Sequence, residues 1–230
     1  MLFYGFQVFI LNKRVDCNLG GTIMSSLGIN NSWDAYLKYG IRQFFKQKAT
    51  IYCEKDDGVE GFYYLKKGII KISKTNYASE ERIIDIVCSE QLFGEQTADG
   101  GMYFSTASAL EDCIVYFFSY EKIRALMKED HQFRMLVYTS MTEKLKVLSD
   151  NVVFQSLPSE QLIARTILIL RDKYVNRRIP FNQQELCRYT NLNRITVYKV
   201  FKKWDDEIVS LKDKNITVKN VNVLQEIAAI

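Results

Sequence analysis

The stretch FNQQELCRYTNLNRITVYKVFKKW, residues 181–204, decides the fold. Asn182 followed three residues later by Glu185 has the spacing of a capping box, in which each side chain satisfies a backbone N–H of the other at a helix start. The helix so opened carries Leu186 inward. TNLN, residues 190–193, breaks it: Asn191 tolerates the left-handed conformation, and Asn193 is placed to cap a second helix. In that second helix Val197, Val200, Phe201 and Trp204 fall at i, i+3, i+4 and i+7, one apolar face. Arg194, Tyr198, Lys199 and Lys202 occupy the other. Helix, tight turn and second helix with a polar, basic outer side describe a helix-turn-helix. Past it, IVSLKDKNITVKN at 208–220 alternates as a hairpin around residues 213–215, which adds a wing.

The charge collects in the same place. Residues 178–220 hold nine basic and five acidic side chains, an excess of four that equals the net charge of the whole chain. Such a local excess is the electrostatic footprint of a polyanion-binding module, although a solvated basic helix would produce it too. On the first reading the chemistry is that of a major groove: Arg194 can donate two hydrogen bonds to guanine O6 and N7. Thr196 and Lys199 suit phosphate contacts, with Gln183, Tyr198, Lys202 and Lys203 as further candidates; these would fix register and make binding salt-dependent.

Reading outward toward the N-terminus, SLPSEQ at 156–161 ends a long helical stretch, because Pro158 cannot donate to a helical ladder. Before it, Tyr138, Met141, Leu145, Leu148 and Val152 are spaced 3, 4, 3, 4, the seam of a two-helix coiled coil. A stripe that long exceeds what a barrel of some seventy residues covers, so a second copy of the helix is the expected cover. From about Ala49 to Ser119 short apolar or alternating runs such as GFYYLKKGIIKIS, RIIDIVC and CIVYFF are separated by turn-forming clusters. These read as a small antiparallel β-barrel or roll. The organisation expected is therefore a barrel domain over 1–130, a long helix over 131–156 and a second domain over 157–230.

Other features bound the function. Cys17, Cys53, Cys88, Cys113 and Cys187 are odd in number, with no C-x-x-C pair, and read as small hydrophobes in a reducing cytoplasm. The apolar opening MLFYGFQVFIL is too short to span a bilayer and lacks a basic n-region, so it reads as a packing or contact segment and no membrane partner is expected. The only histidine is His131, so a metal-binding barrel of cupin type or a Ser/His/Asp nucleophile set has no side chain to build on. No metal site and no enzyme are expected.

Barrel, seam helix, hinge and winged helix-turn-helix in that order resemble the family of the bacterial cAMP receptor protein and the fumarate-nitrate regulator (CRP/FNR). The resemblance is carried by GFYYLKKGIIKIS, LFGE at 92–95 and QQELCRYTNLNRITVYKVFKKW, and covers residues 45 to the end. It implies an α+β fold: an N-terminal cyclic-nucleotide-binding-like β-barrel (double-stranded β-helix or jelly roll), a long dimerisation helix, and a C-terminal winged helix-turn-helix that binds DNA. It further implies a homodimer on a palindromic double-stranded site, with RNA polymerase as a partner. An effector in the barrel would meet Gly94, Glu95, Ser105 and Thr106, with Tyr138 and Met141 from the long helix.

Two departures from the family pattern matter. Ile195 stands where relatives carry a glutamate between the arginine and threonine matched by Arg194 and Thr196; it cannot accept from cytosine N4 and suits a thymine methyl instead. The cyclic-phosphate arginine is also missing, since no arginine lies between Arg82 and Arg124. An unpaired buried phosphate would cost several kcal/mol, which argues against cyclic nucleotide as effector. Neither an N-terminal cysteine cluster nor a haem-binding histidine set is present, so no cofactor is expected. The effector is then an unidentified small molecule or none, with Glu95 a structural acid in the second case. A protein-interaction module with a degenerate helix-turn-helix is the remaining alternative.

Overall fold

The computed structural model describes residues 33–97, 101–174, 178–212 and 214–229. The apolar opening at 1–11, Cys17 and the wing residue Asp213 lie outside the described residues. Eight strands build the N-terminal part: β1 (Ile41–Phe45), β2 (Thr50–Tyr52), β3 (Gly61–Lys67), β4 (Ile69–Thr75), β5 (Glu81–Cys88), β6 (Gln91–Phe93), β7 (Thr106–Ala109) and β8 (Cys113–Ser119). They form two antiparallel four-stranded sheets, ordered β1-β8-β3-β6 and β2-β7-β4-β5, a jelly roll. Gly68 makes the β3–β4 turn at φ +107°, where a Cβ would also meet the Cys113 Sγ at 2.6 Å.

Strand β3 lacks the in-out alternation of a half-solvated strand because both its faces are covered. Tyr63 and Leu65 point into the roll with Tyr52, Phe93 and Val115. Phe62 and Tyr64 point the other way, into a cluster of Trp33, Tyr36, Phe118, Ile123, Phe133 and Leu136. Ile123 belongs to helix α1 (Tyr120–Glu129), and Phe133 and Leu136 to helix α2 (His131–Phe154), so the helices close the outer face of this sheet. Asp130 separates them. Its carboxylate accepts from the backbone N–H of Gln132 and Phe133 and from the Tyr36 hydroxyl at 3.0 Å. These bonds, the one from Phe133 foremost, hold the Asp130 carboxyl below the usual aspartate range despite its partial burial. The other side of α2 faces away from the barrel, and its Tyr138, Leu145, Leu148 and Val152 are 66%, 67%, 51% and 74% exposed.

The chain breaks at Pro158 and resumes as α3 (Ser159–Lys173), β9 (Arg178–Ile179), α4 (Gln183–Thr190), α5 (Arg194–Trp204), β10 (Val209–Lys212), β11 (Asn215–Val218) and α6 (Val221–Ala228). The expected wing hairpin is β10 and β11; β9 adds a third strand by pairing with Ile216 and Thr217. Ile163, Ile167, Leu170, Leu186, Val197, Trp204, Val209, Ile216 and Leu224 form the core of this domain. That core does not stop at the domain edge. Ile69, Ile83 and Ile86 from the β4–β5 sheet belong to the same cluster, so the winged domain is docked on the outer face of the roll.

Ion pairs frame the docking. Glu81 on β5 meets Lys71 at 2.6 Å and Arg188 on α4 at 2.7 Å. Lys173 at the end of α3 lies 3.6 Å from Asp85 and donates to the Ile86 carbonyl at 2.5 Å. Burial disfavours a charged Glu81, but Lys71, Ser73 and Arg188 outweigh it and hold its carboxyl below the ordinary glutamate range. Among the described residues no helix is long and apolar enough to cross a membrane, and no three His, Cys, Asp or Glu side chains group as a metal site.

Candidate nucleic-acid interface and effector pocket

The helix-turn-helix is fixed by local chemistry. Asn182 Oδ1 accepts from the Glu185 N–H at 2.9 Å while Glu185 Oε2 accepts from the Asn182 N–H at 2.8 Å, a complete capping box. Asn191 sits at φ 61°, ψ 25°, the left-handed turn. Asn193 Oδ1 accepts from the Thr196 N–H at 2.8 Å and starts α5. Gln183 Nε2 reaches the Arg194 carbonyl at 3.5 Å, linking the starts of the two helices.

Val197, Val200 and Trp204 turn the inner face of α5 into the core. At 100° per residue, the direction opposite them is that of Ile195 and Lys202. Tyr198 and Lys199 flank that line and Arg194 lies at its N-terminal edge. Arg194, Lys199 and Lys202 are exposed and Thr196 is half-buried. Ile195 and Tyr198 are 67% and 57% exposed. Lys203 is engaged elsewhere. Its ammonium meets Glu160 Oε2 at 2.7 Å, and Glu160 Oε1 accepts from the indole N–H of Trp204 at 2.9 Å. The Lys203 hydrogen bond, helped by that of Trp204, holds the Glu160 carboxyl below the usual range. Glu160, which anchors α5 to the start of α3, carries no signal of that role in the sequence.

The barrel residues expected to meet an effector are partly gathered. Gly94 has φ +75°, and a Cβ there would come within 2.9 Å of the Tyr63 ring. Gln96 ties this turn inward: its Nε2 donates to Ser105 Oγ at 2.9 Å and Tyr52 Oη at 3.2 Å, and its Oε1 accepts from the Phe104 N–H at 3.0 Å. The rings of Tyr52 and Tyr103 stack at 3.9 Å within the roll, and burial pushes the Tyr52 hydroxyl pKa far up. Thr106 faces away from Gln96, its Oγ1 accepting from the Glu54 N–H at 2.9 Å. Glu95 forms an ion pair with Lys144 of α2. Lys144 thus connects the long helix to this turn, a contact not anticipated from the sequence, whereas Tyr138 is exposed and Met141 half-buried.

A cyclic nucleotide needs a cation for its phosphate. Residues 83–123 contain no arginine, and the lysine brought to Glu95 is already neutralised by it. These residues do not fit the cyclic phosphate.

The family model described as cyclic nucleotide-binding domain matches residues 42–130. The fumarate and nitrate reduction regulatory protein of Vibrio cholerae is 23% identical over 193 residues, 80% of this chain and 77% of that protein. The cyclic AMP receptor protein of Thermus thermophilus is 24% identical over 201 residues, 85% of this chain and 91% of that one. In fold the chain is similar to the crystal structure of a CRP-family transcriptional regulator, also from Thermus thermophilus. The TM-score is 0.72 at 19% identity, over 82% of this chain and 97% of that one.

Proposed function

We propose that the chain is a transcription regulator of the CRP/FNR type, as the relatives it is similar to are, and that it acts as a homodimer on duplex DNA, with α5 as the helix that enters the major groove. The observation that carries this reading is the outer face of α5: Arg194, Lys199 and Lys202 stand exposed on a helix whose opposite face is locked into the core. Arg194 reads a base edge, with Tyr198 beside it, and Thr196, Lys199 and Lys202 hold phosphates, with Gln183 and Lys203 at the margins. The exposed stripe of α2 pairs with its copy, so that two recognition helices face two half-sites of one palindrome. RNA polymerase is the partner through which binding acts, in the cytoplasm, and the chain performs no catalysis.

The effector on this reading is a small molecule other than a cyclic nucleotide, for want of a phosphate partner in the barrel. A second reading, regulation without an effector, is favoured by the Glu95–Lys144 pair, which closes the turn with the protein's own cation.

An electrophoretic shift assay on random duplexes tests the DNA reading. Retardation is expected at about 50 mM salt and its loss by about 200 mM, as phosphate contacts release counterions. Arg194→Ala should lose sequence preference, whereas Lys202→Ala should lower the salt slope by about one with preference intact. No retardation at low salt overturns the proposal.

A further inference from the structure

We infer that Ile195 and Tyr198 form an apolar reading strip for the C5-methyl groups of thymines, so that the half-site carries T·A pairs beside the base met by Arg194. This inference rests on α5 being the groove-entering helix and names what that helix selects.

Two large side chains with apolar surface stand out on a face that otherwise bears charge. Ile195 lies at the middle of the outward arc of α5, opposite Val197, Val200 and Trp204, and is 67% exposed; Tyr198, one turn on, is 57% exposed. Neither belongs to the core of the winged domain or to the partly buried shell packed against it. An isoleucine at that position lies outside the domain's own core and is free to meet a partner's surface. The surrounding charge selects the kind of partner: Arg194, Lys199 and Lys202 are exposed on the same face, which favours a polyanion over the apolar surface of another protein.

In the major groove only thymine offers an apolar group, the C5-methyl, whereas cytosine and adenine present amino donors and guanine two acceptors. Isoleucine has no donor or acceptor, so a cytosine or adenine amino group beneath it would lose water without gaining a partner. It therefore discriminates by what it cannot pair as well as by the methyl it covers. Tyr198 follows three residues later, about 4.5 Å further along the helix axis, between one and two base-pair steps of about 3.4 Å, and its ring covers the next position.

Deoxyuridine differs from thymidine by this methyl alone. Sites are first enriched from a random duplex pool with the full-length protein, and each thymine of the enriched half-site is then replaced singly by deoxyuridine. Replacement of the thymine under Ile195 should weaken binding about fourfold, the value of one buried methyl-sized group. Against Ile195→Ala the same replacement should change nothing, and Tyr198→Ala should abolish the sensitivity of the adjacent thymine. If deoxyuridine is tolerated at every position, or wild type and Ile195→Ala lose affinity alike, the methyl strip is overturned while DNA binding stands. If no duplex is enriched at all, the groove-reading role of α5 falls and the strip with it.

Discussion

Glu160 illustrates how much one carboxylate can hold. Its two oxygens serve the Lys203 ammonium and the indole N–H of Trp204, a side chain only 2% exposed. Glu160→Ala leaves that buried donor without a partner, an expected loss of about 1–3 kcal/mol seen as a lower melting temperature. Glu160→Gln keeps an acceptor for the indole and should lose less. The pH dependence has a definite sign. Since the folded state holds Glu160 below its ordinary value of 4.5, its contribution is fully present above the unfolded pKa and disappears as pH falls through the lower folded one. Melting followed between about pH 3 and 6 should therefore show a shallower acid decline for Glu160→Gln than for wild type; equal declines would remove Glu160 from the acid transition. None of this is legible in the sequence, because the partners lie 43 and 44 residues away and nothing in SLPSEQ points to them.

At the scale of elements, what was readable is what short-range chemistry controls. Asn182, Glu185, Asn191 and Asn193 act within three residues of themselves, and the structure has each in the expected role. Asn193→Ala should cost about 1 kcal/mol, most of it in α5, measurable by denaturant titration. Strand β9 was not readable, because two residues become a strand only by pairing with β11 across the domain. Helix α6 did leave a local sign: Asn220 accepts from the Val223 N–H at 3.2 Å as its cap. The stripe of α2 is legible in the sequence and leaves Leu145, Leu148 and Val152 exposed, the face proposed to pair with its copy. A charge in it should prevent pairing, since each such side chain contributes roughly 1.5–3 kcal/mol when fully buried. Leu145→Asp is expected to sediment as a monomer; a species of unchanged mass would place the dimer contact elsewhere.

For the molecule as a whole, the sequence divides into two domains at Pro158, yet the apolar cluster runs through both. Hydrophobic periodicity reveals which face of β5 is apolar, not that Ile83 and Ile86 will be covered by a domain more than seventy residues downstream. The Glu81–Arg188 pair sits at the rim of that contact. Arg188→Ala should speed amide hydrogen exchange in β5 and α4 together while leaving β3 and β8 unchanged; exchange unaltered in both elements would make the pair incidental to docking. The base of α2 carries another consequence. Asp130 joins the first turn of that helix to Tyr36 and so acts as a fulcrum, with a lever of 24 residues rising from it. At 1.5 Å per residue the lever is about 36 Å long, and a tilt of about 5° at the fulcrum displaces its far end by about 3 Å. That is close to the 3.4 Å spacing of base pairs along a duplex. On the proposed DNA reading, a tilt that small at Asp130 is therefore large enough, unless the Glu95–Lys144 and Glu81–Arg188 pairs resist it, to set a reading head one letter out of phase.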